Sequence, residues 1–420
     1  MPKKGIPEVI LKNHFLQFLL RIVNNLTWQQ AIGYILLCCL ATQCVLSKTP
    51  KSHTQQLSKP GLPTLALQVN TKTVSTPTPT PAKKLKASIP SGPLPEWANN
   101  KSLPLPSRLK GKENSEVVYN LKKPLHFKQS KKLQAIIKDT IKLAKKNNLP
   151  TGPLSITLID TKTGEIAGHN QDTARYPASV VKMFWMVALY GQIENGIWAD
   201  SENFSPFLAK MIKESDNEAA SFVLDQVTNT RSQSRLSEKK FKKWQNKRSQ
   251  VNRFFRKAGY KNINVIQKAF PVYYIEQSEP NGSESQLLGE PITNWNKISS
   301  RHAARLMYEI CHTRTAVSPK ASQNMCELLH RDLNPDVWKK LPYDFNPVQS
   351  LLGQSLSDTE VEFYSKAGGT NIVRTEAAMV HLKKQKSNYI LVVFGTDPAY
   401  AKDGQIFPQI SRLIYQRMSK

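Results

Sequence analysis

The chain has 420 residues, and 59 lysines and arginines against 31 acids give it a formal net charge of +28 at pH 7. No nucleic-acid-binding motif accompanies that charge, so DNA and RNA are set aside as partners, and anionic envelope polymers or membrane headgroups suit it better. The length allows two domains, yet the composition confines apolar periodicity to about residues 131–420. The five cysteines lack histidine partners at metal-ligand spacing, so neither zinc nor any other cofactor is expected.

Lys3, Lys4, Lys12 and Arg21 precede an apolar run, Ala31 to Leu46 (AIGYILLCCLATQCVL). At 16 residues it is short for a spanning helix and suits the hydrophobic stretch of a secretion signal. No small-x-small cleavage site follows, so residues 1–46 read as an export segment, either cleaved or kept as an anchor. The protein is expected in the periplasm or anchored in the membrane facing the cell envelope. Residues 47–130, with TPTPTPAKK and SIPSGPLPEW, read as a Pro/Ser/Thr/Lys-rich disordered linker.

The globular domain then spans 131–420. Lys131 to Asn147 carries apolar residues at helical spacing, and Pro150 stops it. Leu154 to Asp160 alternates like a strand, Thr161 to Gly164 turns the chain, and Glu165 to Gly168 begins the return of a hairpin. Tyr176 to Tyr190 (YPASVVKMFWMVALY) reads as a helix buried on all sides. Phe204 to Lys213 and Glu218 to Val227 predict two more helices. Residues 228–262 form a basic insertion, read either as a surface for an anionic polymer or membrane or as a solvated stretch. A polar loop, Ile275 to Trp295, carries Glu276, Glu279 and Glu284.

Ser299 to Cys311 and Ala321 to Leu329 are helical in pattern, and Cys311 and Cys326 form one disulfide or stay as buried thiols. Val361 to Lys366, Glu376 to Leu382 and Tyr389 to Gly395 predict strands, and Phe407 to Arg417 predicts a last helix. This order predicts an α/β fold of the α+β type. An antiparallel sheet is flanked by N- and C-terminal helices, with an all-helical lobe inserted between its strands. A monomer is expected.

Three short segments carry chemistry. Lys182 is the one charged residue of the apolar helix, and a buried ammonium must be paired or lose its proton. Ser179 lies three residues earlier on the same face, so a neutral Lys182 can serve as its base. Ser107–Lys110 and Ser237–Lys240 repeat the spacing in polar surroundings and carry no such implication. Ser215-Asp216-Asn217 sits between two helical stretches. There Ser215 can relay a proton and Asn217 can hold a substrate amide, while Ser215 and Glu218 also fit a capping box. Lys366-Ala367-Gly368-Gly369 ends a strand, where a cation can hold a substrate carboxylate and glycines admit a substrate backbone. The N–H groups of Gly369 and Ser179 can form an oxyanion hole.

Taken in this order, the three segments resemble the motifs of penicillin-recognising serine hydrolases, closest to the class A β-lactamases. The hairpin before the serine, the Pro-Ala-Ser-x-x-Lys entry and the terminal strands and helix extend the resemblance over most of 131–420. It implies acylation of Ser179 by a β-lactam or a peptidoglycan peptide ending in D-Ala-D-Ala, followed by hydrolysis. β-Lactam hydrolysis is the first expectation. The alternatives are a D,D-peptidase or penicillin-binding cell-wall enzyme, and a non-catalytic envelope-binding protein on the same fold. The resemblance also implies a glutamate on the acidic loop that activates the deacylating water. Glu279, before Pro280, is assigned that role, with Glu284 and then Glu276 behind it. Without such a carboxylate the acyl-enzyme would persist. Ala367 stands where the family carries Thr or Ser.

Overall fold

The computed structural model describes residues 94–98, 104–120, 125–384 and 388–420. The expected export segment 1–46 and the linker as far as residue 93 lie outside the described residues. After β1 (Lys128–Gln129) comes α1 (Lys131–Lys146), which Ser130 caps by accepting from the Leu133 N–H. Strands β2 (Leu154–Asp160) and β3 (Glu165–His169) make the expected hairpin, with Ile156 opposite His169 and Asp160 opposite Glu165.

The middle of the chain is helical. A 3₁₀ turn, Ala178–Val181, leads into α2 (Lys182–Glu194). Then follow α3 (Ser205–Ala209), extended by a π turn at Lys210–Glu214, and α4 (Asn217–Thr228). Next come α5 (Glu238–Arg248), α6 (Gln250–Lys257) and α7 (Gly282–Leu288). Last in this series are α8 (Ser300–Met307), continued by a π turn, and α9 (Pro319–Leu329). The chain ends with β4 (His330–Arg331), α10 (Pro335–Trp338), β5 (Val361–Gly369), β6 (Arg374–Leu382) and β7 (Asn388–Gly395), then α11 (Pro398–Lys402) and α12 (Ile406–Met418).

One seven-stranded sheet runs β1-β3-β2-β7-β6-β5-β4, and every pair is antiparallel except β1 with β3. The alternation in β2 sends Leu154, Ile156 and Leu158 into a core with Leu133 and Ile137 of α1 and Phe407, Ile410 and Ile414 of α12. Its polar face is covered too: Thr157 Oγ1 lies 2.8 Å from Ser300 Oγ on α8. A second core fills the helical lobe on that side, from Phe184 and Trp185 of α2 to Val223 and Leu224 of α4. The predicted architecture is thus the observed one, with the lobe entering between β3 and β4.

Several expectations change. The stretch read as linker is not free throughout: Ala98 and Tyr119 are buried in the lobe core, and Trp97, Leu105 and Val117 pack against it. Arg108 holds this segment down by donating to the carbonyls of Gln226 and Val227 at the end of α4. The basic insertion folds into two helices whose apolar side is buried while its lysines stay exposed. Val251, Phe254 and Phe255 join the lobe core, and Trp244 joins Ile266 and Leu287 in a smaller cluster. Cys311 and Cys326 are disulfide-bonded.

Candidate active site

Ser179 rides on the 3₁₀ turn ahead of α2, entered through Ala178 at φ 44° in the left-handed region. The turn is fixed against the sheet from below. Thr375 Oγ1 donates to the Pro177 carbonyl at 2.8 Å, and a Cβ placed on Gly368 would lie 2.5 Å from Ser179 N. Glycine is therefore what lets β5 approach the serine this closely. Ser179 is half-buried, and its hydroxyl has no hydrogen-bond partner among the described residues.

One turn on, Lys182 is fully buried. Its Nζ donates to the Ser215 carbonyl and to Asn217 Oδ1 at 2.8 Å, with Ser215 Oγ farther away at 3.5 Å. Burial pulls its pKa down to about 7, against the raising influence of Asp216. No hydrogen bond joins Lys182 Nζ to Ser179 Oγ: the amine leans toward the second motif. An ammonium would spend three donors there, whereas a neutral amine keeps two donors and frees a lone pair for the serine proton.

Ser215 ends the π turn in a left-handed conformation, φ 63°. This rotation turns it away from the capping box expected of it. Asp216 caps α4 instead, accepting from the Ala219 N–H at 2.6 Å, while Glu218 accepts from the Tyr274 N–H. Released from capping, Ser215 Oγ receives a 2.8 Å hydrogen bond from Lys366 Nζ. Lys366 is buried, and burial, aided by Lys182 and Arg331, pushes its pKa well below the usual lysine value against Glu376. Ser179, Lys182, Ser215, Asn217, Lys366 and Gly368 therefore converge from α2, α4 and β5. Gly369, next along, is exposed at the end of β5, which pairs with β4 only as far as Tyr364. Ala367 faces the core under α12 and not the open edge.

The glutamates of the acidic loop are not hydrogen-bonded to this cluster. Glu279 is exposed, and Glu276 is exposed at φ 55°. Glu284 is buried but points elsewhere, accepting from Ser232 Oγ and Arg248 Nη2. The segment just ahead of the loop meets the cluster instead: Asn217 Nδ2 donates to the Phe270 carbonyl at 2.9 Å. The assignment of Glu279 rested on its proline neighbour, a local pattern; its side chain is exposed and makes no hydrogen bond to Ser179, Lys182, Ser215 or Asn217.

Four participants carried no motif. Arg331 on β4 is buried and donates to the carbonyls of Ile212, Lys213 and Ser365, tying the π turn to β5. Burial lowers its pKa to about 10. Glu376 lies opposite Ala367 on β6 and accepts from the Leu352 N–H, and burial raises its pKa to about 7. Thr375 Oγ1 reaches the carbonyls of both Pro177 and Gly368, and Phe270 acts through its carbonyl on Asn217. An acid opening a stretch read as a strand was the available signal for Glu376, whereas Arg331 lay outside every predicted element. Among the described residues no cluster of three or more His, Cys, Asp or Glu is arranged to hold a metal ion.

The model of the Beta-lactamase enzyme family matches residues 203–418, just over half of the chain, beginning after the Ser179 turn. No curated protein matches. Among solved structures, the chain is similar to PBP-A at 16% identity, over 70% of this chain and 99% of that one, with a TM-score of 0.47. A β-lactamase from Sphaerobacter thermophilus gives 15% identity, 68% and 97% coverage, and a TM-score of 0.47. An ancestral class A β-lactamase gives 14% identity, 67% and 99% coverage, and a TM-score of 0.45. On the family match and the fold described above, the chain belongs to the β-lactamase enzyme family of serine hydrolases.

Proposed function

We propose that β-lactams and D-Ala-D-Ala-like peptides acylate Ser179, and that the acyl-enzyme turns over slowly, as in a D,D-peptidase or penicillin-binding enzyme. The observation that supports the slow step is that no loop glutamate is hydrogen-bonded to the cluster: Glu276 and Glu279 are exposed, Glu284 accepts from Ser232 and Arg248, and Asn217 Nδ2 donates to the Phe270 carbonyl. Neutral Lys182 takes the Ser179 proton as Oγ attacks the carbonyl carbon. The N–H groups of Ser179 and Gly369 receive the oxyanion. Ser215 passes the proton from Lys182 to the leaving nitrogen, and Lys366 holds the substrate carboxylate while polarising the Ser215 hydroxyl. The free edge of β5 accepts the substrate backbone, and Asn217 its side-chain amide. The apolar segment Ala31 to Leu46 supports export, to the periplasm or to a membrane anchor facing the cell envelope, where such substrates are.

Intact mass measured after incubation with benzylpenicillin tests this. A single adduct that persists for minutes, lost in Ser179→Ala, is the expected result; no adduct, or one that survives the substitution, sinks it. With a chromogenic cephalosporin one product equivalent should appear in a burst, and Phe270→Glu should shorten the adduct lifetime. Steady turnover by the wild type would instead favour the lactamase reading and return the water-activating role to Glu279 or its loop neighbours.

A further inference from the structure

Residues 231–261 hold twelve lysines and arginines against one acid, Glu238. Helix α5 sorts them by face. Phe241, Trp244 and Arg248 turn inward, whereas Lys239, Lys240, Lys242, Lys243 and Lys247 are exposed on one broad arc. Arg256, Lys257 and Lys261 continue the exposed cationic surface along and beyond α6. Within that arc one ion pair forms, Lys242 with Glu238. Some surface cations elsewhere are paired, as in Arg301 with Asp172, Arg412 with Glu360 and Arg417 with Asp139.

The arc has no apolar element. The apolar side of α5 is already used inside, where Trp244 packs with Ile266 and Leu287. Among the described residues the exposed large hydrophobics lie elsewhere, as with Tyr273, Ile292 and Trp295. A helix that inserts into a bilayer needs an apolar face to bury, and a single-strand nucleic-acid surface needs aromatic rings for bases to stack on. Neither is present on this arc. What remains is a row of hydrated point charges spread over roughly 12 Å from Lys239 to Lys247 at 1.5 Å per residue. The same helix is fastened on its inner face, where Arg248 is fully buried between Asp225 of α4 and Glu284 of α7. The charges are thus presented on a fixed support.

We infer that the exposed face of α5, extended by α6, is a docking surface for a hydrated anionic envelope polymer, one carrying repeated phosphate or carboxylate groups. The interaction is electrostatic and reads spacing of charge rather than sequence. Where substrate peptides are carried on or near such a polymer, docking raises the rate of encounter; that consequence rests on the proposed function, whereas the binding itself does not.

The experiment uses the full chain and fluorescence anisotropy with labelled linear polyphosphate and labelled polygalacturonate, from 50 to 200 mM salt. The quadruple variant K239Q/K240Q/K243Q/K247Q should bind both at least about tenfold more weakly, with a salt slope shallower by about three, as expected for released counterions. Glu238→Gln should bind about twofold more tightly. The rate of penicillin adduct formation should be unchanged in both variants, which separates a failure of docking from a failure of acylation. Unchanged affinity in the quadruple variant would overturn the inference. So would tighter binding to phosphatidylglycerol vesicles or to a single-stranded oligonucleotide than to the two polymers.

Discussion

Lys182 decides the chemistry through its protonation state. Burial lowers its pKa to about 7, so the neutral base is scarce below that value and dominant above it. Acylation should therefore rise with pH from about 6 to about 8 and then level off. A rate that is flat across that range would remove Lys182 as the base. Lys182→Arg keeps a cation but cannot accept a proton, and should slow acylation by about 10²- to 10⁴-fold in stopped-flow measurements. Gly368 matters just as much without any functional group. A methyl there meets Ser179 N at 2.5 Å, so Gly368→Ala should push the serine turn away from β5. We expect acylation to fall sharply while thermal stability drops by about 1 to 3 kcal/mol.

At the scale of elements, the basic insertion proves to be a support for the site rather than an appendage. Asp225 on α4 accepts from Arg248 of α5 at 2.8 Å and from Lys268 at 2.6 Å, two residues before Phe270. Arg248 also bonds Glu284 of α7. This cluster pins the loop that delivers the Phe270 carbonyl to Asn217. Breaking a buried pair leaves uncompensated charge, so Arg248→Met should cost about 3 to 5 kcal/mol in urea denaturation. Adding Glu284→Leu should recover part of that loss, because the stranded carboxylate goes with it. No recovery in the double variant would mean that Arg248 acts by packing over Trp244 and not by charge.

Across the whole molecule the site lies where two cores meet. The sheet and its terminal helices supply Lys366 and Gly368, and the lobe supplies Ser179, Lys182, Ser215 and Asn217. The segment around residues 94–120 reinforces the lobe from outside. Tyr119 donates to Glu309 Oε2 at 2.8 Å beside Tyr260 and Arg305, and its ring packs against Phe254 and Phe255. Burial raises the pKa of Glu309 despite these partners, so each donor counts toward keeping it ionised. Tyr119→Phe should lower stability by about 1.5 to 3 kcal/mol, read by chemical denaturation, with adduct formation intact. Equal stability would show that the ring, and not the hydroxyl, fastens the segment.

The sequence by itself determined what local pattern encodes. Alternation in Leu154 to Asp160, the unbroken apolar run around Lys182 and the Gly-Gly after Lys366 are each written in consecutive residues, and their order named the family and the layers of the fold. It also set the charge, which no folding could hide. Tertiary structure decided everything that depends on distant residues arriving together. Ser215 gave up its cap to Asp216 because its backbone turns left-handed, which local pattern does not specify. Tyr119 and Phe254, in stretches polar on average, became core because partners far along the chain covered them. Local pattern ranked Glu279 ahead of Glu284 and Glu276, whereas the path of the chain brought Phe270 to Asn217 and turned Glu284 toward Arg248. Spacing along a chain fixes which residues share a face, but only packing fixes which faces meet.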